Sequence, residues 1–390
     1  MKKSLLVTPA LLSALALTLA GCAEAPGTGA GAGASGAPSA SASGSASSSA
    51  SGGASSSASG SAGASDFKAC MVSDAGGFDD KSFNQTAYKG LTDAKSALSI
   101  QTGQVESSAT ADFAKNIASM VSAKCSIVVT VGFLLGDDTL AAAKKNPNVK
   151  FAIVDNNRPD FAGVQNLKPL VFNTAESSFM AGYLAAATSK TKKVGTFGGA
   201  KIPTVTIFMD GFSQGVDYFN KQKGGNVQVL GWNAAKQDGL FIPGAKGFED
   251  VPGGKRTAQG LVSQGADVIL PVAGPSGEGA LQVAKTSGGK VNAIWVDTDG
   301  CVSAPAYCPQ IASSVYKGMD VAVTDVIKAA QAGSFSAKPY VGNLENDGTG
   351  LSPFHEFEDK IPADVKSELD KIKADIVAGT IKIESKSQPK

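Results

Sequence analysis

The chain has 390 residues, with 35 Lys and Arg against 34 Asp and Glu, and a single His. A formal net charge of +1 with well-mixed signs gives no basic face for nucleic acid and no strongly charged partner. One His, and cysteines without metal-ligand spacing, argue against a metal centre, and no cofactor is expected.

Residues 1–22 read as an export signal. Lys2 and Lys3 supply the positive start, and SLLVTPALLSALALTLAG is apolar, uncharged and short for a membrane-spanning helix. The small residues before Cys22 resemble the lipobox of bacterial lipoproteins. That resemblance implies cleavage before Cys22, lipid on its thiol and an extracytoplasmic, lipid-anchored location at the cell membrane. Residues 23–65 are almost entirely Gly, Ala, Ser and Pro, too poor in apolar surface to offset their ordering entropy. They read as a disordered tether with a typical reach of roughly 35 Å.

Residues 66–390 are enough for two domains of ordinary size. Strands are expected at 67–73, 126–131, 149–154, 193–197, 226–230, 267–272 and 291–296. All are short, continuous apolar runs rich in Val and Ile, as in parallel strands buried on both faces. Helical periods lie between or after them, at 83–97, 112–124, 176–190 and 321–333. The alternation predicts parallel α/β sheets with right-handed crossovers, about five strands in each of two. No convincing internal repeat is visible.

Ligands of open α/β sheets sit beyond the carboxyl ends of the strands. The first strand ends in Ser73-Asp74-Ala75-Gly76-Gly77, and later ones in Asp155-Asn156-Asn157, Ala273-Gly274-Pro275 and Asp297-Thr298-Asp299-Gly300. One such residue is usually a helix N-cap. Four polar strand ends beside glycines point instead to a binding cleft. Gly211-Phe212-Ser213-Gln214-Gly215 matches the G-x-S-x-G elbow of hydrolases, but IPTVTIFMDGF reads as a loop entering a helix and not as the required strand. Gly253-Gly254-Lys255-Arg256-Thr257 lacks the spacing of a phosphate loop. His355 receives no role, and no enzyme's acid–base, nucleophile or metal set is present.

DAGGFDDKSFNQTAYKGL, ESSFMAGYLAA, VGTFGGAKIPTV, GFSQGVDYF, QGADVILPVAGPSGEGAL and WVDTDG together resemble the basic-membrane-protein, or PnrA-like, family of ABC-transporter substrate-binding lipoproteins. The tail IPADVKSELDKIKADIVAGTIKI adds to the match, which spans essentially all of 66–390. The resemblance implies a type I periplasmic-binding-protein fold, two Rossmann-like α/β lobes joined by a hinge of three crossings. It places 66–174 plus about 300–332 in the N-terminal lobe and 175–299 plus about 333–390 in the C-terminal lobe. It implies capture of a purine nucleoside between the lobes and delivery to permease and ATPase subunits, most simply by a monomer. A sugar or other small polar solute, or a ligand sensor or adhesin on the same fold, remains the alternative.

The family pattern assigns roles residue by residue. Phe83 would stack on the base and Asn84 would meet its edge, with Asp74 orienting that loop or touching ligand. Asp155 and Asp297 would meet the ribose, Gly274 would let backbone approach, and Lys317 would lie near the sugar. Phe179 and Phe208 are candidates for a second ring. The four cysteines after Cys22 should form two disulfides in an exported protein. Cys70 and Cys125 lie near the amino ends of strands adjacent in a sheet of order 2-1-3-4-5, and Cys301 and Cys308 close a small loop. That loop, and a long 240–256 segment, depart from the family pattern near the mouth of the cleft.

Overall fold

The computed structural model describes residues 66–389. The export segment, Cys22 and the Gly/Ala/Ser segment lie outside the described residues. The first stretch of chain runs β1 (Lys68–Ser73), α1 (Phe83–Leu98), β2 (Gln101–Val105), α2 (Phe113–Ser122), β3 (Ile127–Val131), α3 (Gly136–Lys145), β4 (Lys150–Val154) and β5 (Leu167–Phe172). These strands are parallel, in the order β5-β4-β3-β1-β2. β1, β3 and β4 are buried along nearly their whole length, which is why they read as unbroken apolar runs. β2, with the polar sequence QTGQV, is an edge strand left partly in solvent.

The chain then crosses into a second lobe. This comprises α4 (Thr174–Thr188), β6 (Lys193–Gly198), α5 (Pro203–Lys223), β7 (Gln228–Leu230) and a small hairpin, β8 (Trp232–Asn233) and β9 (Asp238–Gly239). It continues with α6 (Val251–Ser263), β10 (Val268–Val272), α7 (Glu278–Thr286), β11 (Asn292–Asp297), α8 (Gly300–Ser303) and β12 (Ile311–Lys317). A second crossing returns the chain to the first lobe. There α9 (Met319–Gln331) packs on α1, and β13 (Tyr340–Gly342) pairs with β5. A third crossing leads to β14 (Thr349–Leu351), antiparallel to β12, and to α10 (Ala363–Val377) in the second lobe. The second sheet has the order β14-β12-β11-β10-β6-β7.

The three crossings fix the lobe boundaries, and one expectation is corrected. Residues 300–317 belong to the second lobe, because β12 pairs in parallel with β11, Asp297 opposite Tyr316. Residues 333–342 belong to the first lobe through β13. The Ser-rich sequence of β12, IASSVYK, concealed a fully internal strand.

α4 and α5 form the closest helix pair. A Cβ on Gly215 would lie 1.9 Å from the Phe179 carbonyl oxygen, and one on Gly211 would lie 2.2 Å from that of Ala175. The glycines of the G-x-S-x-G match therefore serve helix packing, and Ser213 sits mid-helix in α5. Gly253–Thr257 is likewise helical, inside α6, whose N-cap Asp250 accepts from the Gly253 amide at 2.8 Å. Cys70 is bridged to Cys125, joining β1 to the turn two residues before β3, and Cys301 is bridged to Cys308.

Candidate functional site

The carboxyl ends of both sheets face a shared cleft. It encloses a cavity of about 250 Å³, where a single water needs ~10–15 Å³ by the same measure. Asp74, Phe83, Asn84, Asp155, Phe208, Gly274, Asp297 and Lys317 all line it. Phe179 does not. It is buried in the second lobe's core, its ring 5.3 Å from that of Tyr218, and the expectation that it could cover a ligand is corrected. On α4 every face is packed, so an aromatic residue there carries no outward signal.

The loop after β1 builds one wall. Asp80 is buried and accepts from the backbone amides of Ser82, Asn84 and Gln85 at 2.9, 2.8 and 3.0 Å. It thereby satisfies the orphan donors at the start of α1 and fixes the direction of Phe83 and Asn84. Burial still pushes its carboxyl up to about 6 against those bonds. Asn84 Nδ2 donates to Asp74 Oδ1 at 3.0 Å and to the Ala75 carbonyl at 3.3 Å. Asn84 Oδ1 is buried without a partner, so the free valence of this amide is an acceptor.

Asp74 is seated against Gly132, where a Cβ would lie 2.0 Å from Oδ2 and where φ is +126°. Only glycine gives the room and the backbone shape. The area Asp74 keeps faces the enclosed cleft rather than bulk water. Burial therefore dominates and pushes its carboxyl up to about 8, against the bond from Asn84.

The floor is an ion triad. Lys317 Nζ lies 2.5 Å from Asp155 Oδ2 and 3.2 Å from Asp297 Oδ1. All three side chains are less than a tenth exposed. Burial works against the ammonium, but the two carboxylates outweigh it and hold Lys317 above its ordinary pKa. Lys317 comes from β12 of the second lobe, Asp155 from the end of β4 in the first, and Asp297 from β11 in the second. The triad therefore ties the lobes together. The same ammonium lies 4.9 Å from the Phe83 ring centroid and 5.2 Å from that of Phe208, one ring from each lobe.

Several lining residues were missed in the sequence. Asp80 was hidden within a run that reads as turn chemistry. Phe248 and Glu249 come from the 240–256 segment, which stood out only by length. Phe133 follows β3 without any polar neighbour to mark a strand end. His355 pairs with Asp299 at 2.6 Å and does not line the cavity.

Residues 67–387 match the family model of PnrA-like ABC-transporter substrate-binding proteins. The chain belongs to this family. A Listeria monocytogenes relative named CD4+ T-cell-stimulating antigen is 32% identical over 341 residues, covering 83% of this chain and 89% of that protein. The ABC transporter nucleoside-binding protein BmpA of Lactococcus lactis is 30% identical over 345 residues, covering 83% and 90%. Among solved structures, an ABC-transporter solute-binding protein from Aeropyrum pernix superposes with a TM-score of 0.71 at 24% identity, over 81% of this chain and 92% of that one. A solute-binding protein from Conexibacter woesei gives 0.63 at 18% identity, over 83% and 100%. Two Rossmann-like lobes and these neighbours establish the type I periplasmic-binding fold. This PnrA-like chain is a substrate-binding protein of an ABC transporter, not an enzyme, with a small-molecule ligand and a permease as its partners. Binding proteins of this family are extracytoplasmic and membrane-associated. No helix among the described residues is long and apolar enough to cross a membrane.

Proposed function

We propose that the cleft takes a purine nucleoside. The observation that carries this reading is the convergence of Phe83 and Phe208, one ring from each lobe, on the Asp155–Lys317–Asp297 triad. Apolar rings suit a flat base, which stacks with little hydrogen-bond demand. Paired carboxylates suit a vicinal diol, since each can accept from neighbouring hydroxyls. Asn84 and Asp74 then meet the base edge, and Gly274 gives backbone access. Even with Asp74 holding its proton, the lining carries Asp80, Asp155, Glu249 and Asp297 against Lys246 and Lys317, with no arginine among the described lining residues. That balance disfavours a phosphate ester, so nucleosides rather than nucleotides are the expected class. The Lactococcus relative, named a nucleoside-binding protein, agrees with the reading.

The protein works as a lipid-anchored monomer in this proposal, held at the extracytoplasmic face of the cell membrane through Cys22 and residues 23–65, and passes ligand to permease and ATPase subunits. Calorimetry with purine nucleosides, nucleobases, ribose and nucleoside monophosphates tests the ligand assignment. Nucleosides should bind, with free ribose and monophosphates far weaker. Tight ribose binding without nucleoside binding would move the protein to the sugar-binding branch of the fold.

A further inference from the structure

The loop closed by Cys301 and Cys308 lies outside the cavity lining, yet it is wired to the wall that carries Phe83 and Asn84. The wiring begins at Tyr307 inside that loop. Its hydroxyl donates to Glu278 Oε1 at 2.9 Å. The other oxygen of the same carboxylate, Oε2, receives Lys81 Nζ at 3.3 Å. Glu278 opens α7 in the second lobe, and Lys81 stands two residues before Phe83 in the first. The Tyr307 ring is itself held, with Lys285 Nζ 5.2 Å from its centroid and bonded to the Ala306 carbonyl at 3.1 Å. Two further bonds join the same wall to the second lobe. Trp295 Nε1 donates to the Lys81 carbonyl at 3.2 Å, and Ser82 Oγ donates to Asp297 Oδ2 at 2.9 Å.

We infer that the disulfide-closed 301–308 loop is a brace on the closed cleft, in which Tyr307 aims the Glu278 carboxylate at Lys81 and so holds the Phe83–Asn84 wall against the second lobe. Tyr307 and Glu278 are positioning residues, since neither lines the cavity. Each bond from Lys81 or Ser82 joins the two lobes, so each must break when the cleft opens. A carboxylate at a helix start has several rotamers open to it. A hydroxyl fixed in a covalently closed loop selects the one that reaches across, which lowers the entropy lost on closure. The inference rests on the assignment as a two-lobed binding protein and not on which solute is bound.

Hydrogen exchange on the protein as purified tests the brace without reference to the ligand. Tyr307→Phe, Glu278→Gln and the double variant Cys301→Ser/Cys308→Ser should each speed exchange of amides in 79–85 about two- to fivefold, the scale of one partly exposed ion pair. Amides of α10, remote from the wall, should not change. Tyr307→Phe should have no further effect once Lys81→Met is present, because the chain of contacts is already cut. Unchanged exchange in 79–85 for Tyr307→Phe, or effects of Tyr307→Phe and Lys81→Met that simply add, would overturn the inference. Failure of nucleosides to bind would leave this measurement intact and strike only the ligand assignment.

Discussion

Asp155 and Asp297 occupy the same place in two different sheets. Each stands at the end of the strand third from the β13 or β14 edge, each has a left-handed backbone with φ of 65° and 70°, and each reaches the Lys317 ammonium. A non-glycine residue in that region is uncommon and marks a place where the surroundings over-determine the backbone. Here the shared cation does so from both sides. The five-strand parallel cores of the two lobes thus share one topology and meet tail to tail on a single lysine, while their edge strands differ, β13 parallel and β14 antiparallel.

That relationship predicts the effect of removing the cation. In Lys317→Met two buried carboxylates face one another, which costs about 3–5 kcal/mol if the cleft stays shut. The lobes can escape the cost by opening and rehydrating both acids. The variant should therefore lose solute affinity about 100-fold or more and show a larger radius of gyration in solution scattering. The melting temperature of the ligand-free protein should move far less. A variant as compact as the wild type that binds equally well would contradict the role of Lys317 as the tie between lobes.

The sequence showed seven strands, β1, β3, β4, β6, β7, β10 and β11, and the four helices named from periodicity, because burial on both faces leaves continuous runs in most of them. It missed β5, whose LKPLVF is broken by Lys168 and Pro169. It also hid the shared topology of the two five-strand cores. Equivalent strands such as β1 and β6 share only hydrophobicity, and β2 and β12 are polar or Ser-rich enough to pass for connections. Most of the candidate cleft could be read because four polar strand ends beside glycines recur in one chain, where a single one would pass for a helix N-cap. Phe179 misled because a ring packed between helices and a ring facing a ligand have the same sequence signature. Phe248 escaped because the segment bearing it has no periodicity and is positioned only by tertiary contacts, its ring lying against Gly199 and Gly274.

Helix packing accounts for the G-x-S-x-G match, and the two explanations diverge on substitution. Gly215→Ala would place a methyl 1.9 Å from the Phe179 carbonyl, forcing α4 and α5 apart at a cost of about 1–3 kcal/mol or more. Ser213→Ala, half-buried mid-helix, should change stability by less than about 0.5 kcal/mol. Urea unfolding of both variants measures this. A catalytic elbow would reverse the order of importance, with Ser213 dominant in function.

Asp74 should make stability fall as pH rises. Its carboxyl is raised to about 8 in the folded protein, against about 3.9 in an unfolded chain. Between those values the folded state holds a proton that the unfolded state has released, so each rise in pH favours unfolding. Asp80, raised to about 6, adds to the trend only at lower pH. Between pH 6.5 and 8 the decline from Asp74 can approach ~1.4 kcal/mol per pH unit. Asp74→Asn keeps the oxygen that accepts from Asn84 and removes the titration. Its unfolding free energy should therefore be flatter over that window. Equal slopes for wild type and variant would show that Asp74 is ionised in the closed cleft.

The lipid anchor is a separate expectation on residues outside the described chain. Full-length protein should partition into detergent, and Cys22→Ala should shift it to the aqueous phase or leave it unprocessed. Equal partitioning would remove the anchor. Protein beginning at residue 66 should bind solute unchanged, since the cleft is already lined by side chains of the described residues 66–389.

The aromatic residues separate binding from folding most cleanly. Phe83 is half-buried at the head of α1 and lines the cavity, so Phe83→Ala should lose about 1–3 kcal/mol of nucleoside binding, the scale of one base–aromatic stack. Its melting temperature should stay near that of the wild type. Phe179, 4% exposed in the core of the second lobe, should behave in the opposite way: Phe179→Ala should cost about 3–5 kcal/mol of stability with affinity retained by whatever fraction remains folded. Phe208 is almost fully buried yet also lines the cavity, so its truncation should lower both. Calorimetric titration and thermal unfolding on the same three variants give a two-dimensional readout. If Phe83→Ala fell on the stability axis alone, the ring would be core packing, and the stacking on which the nucleoside assignment rests would be gone.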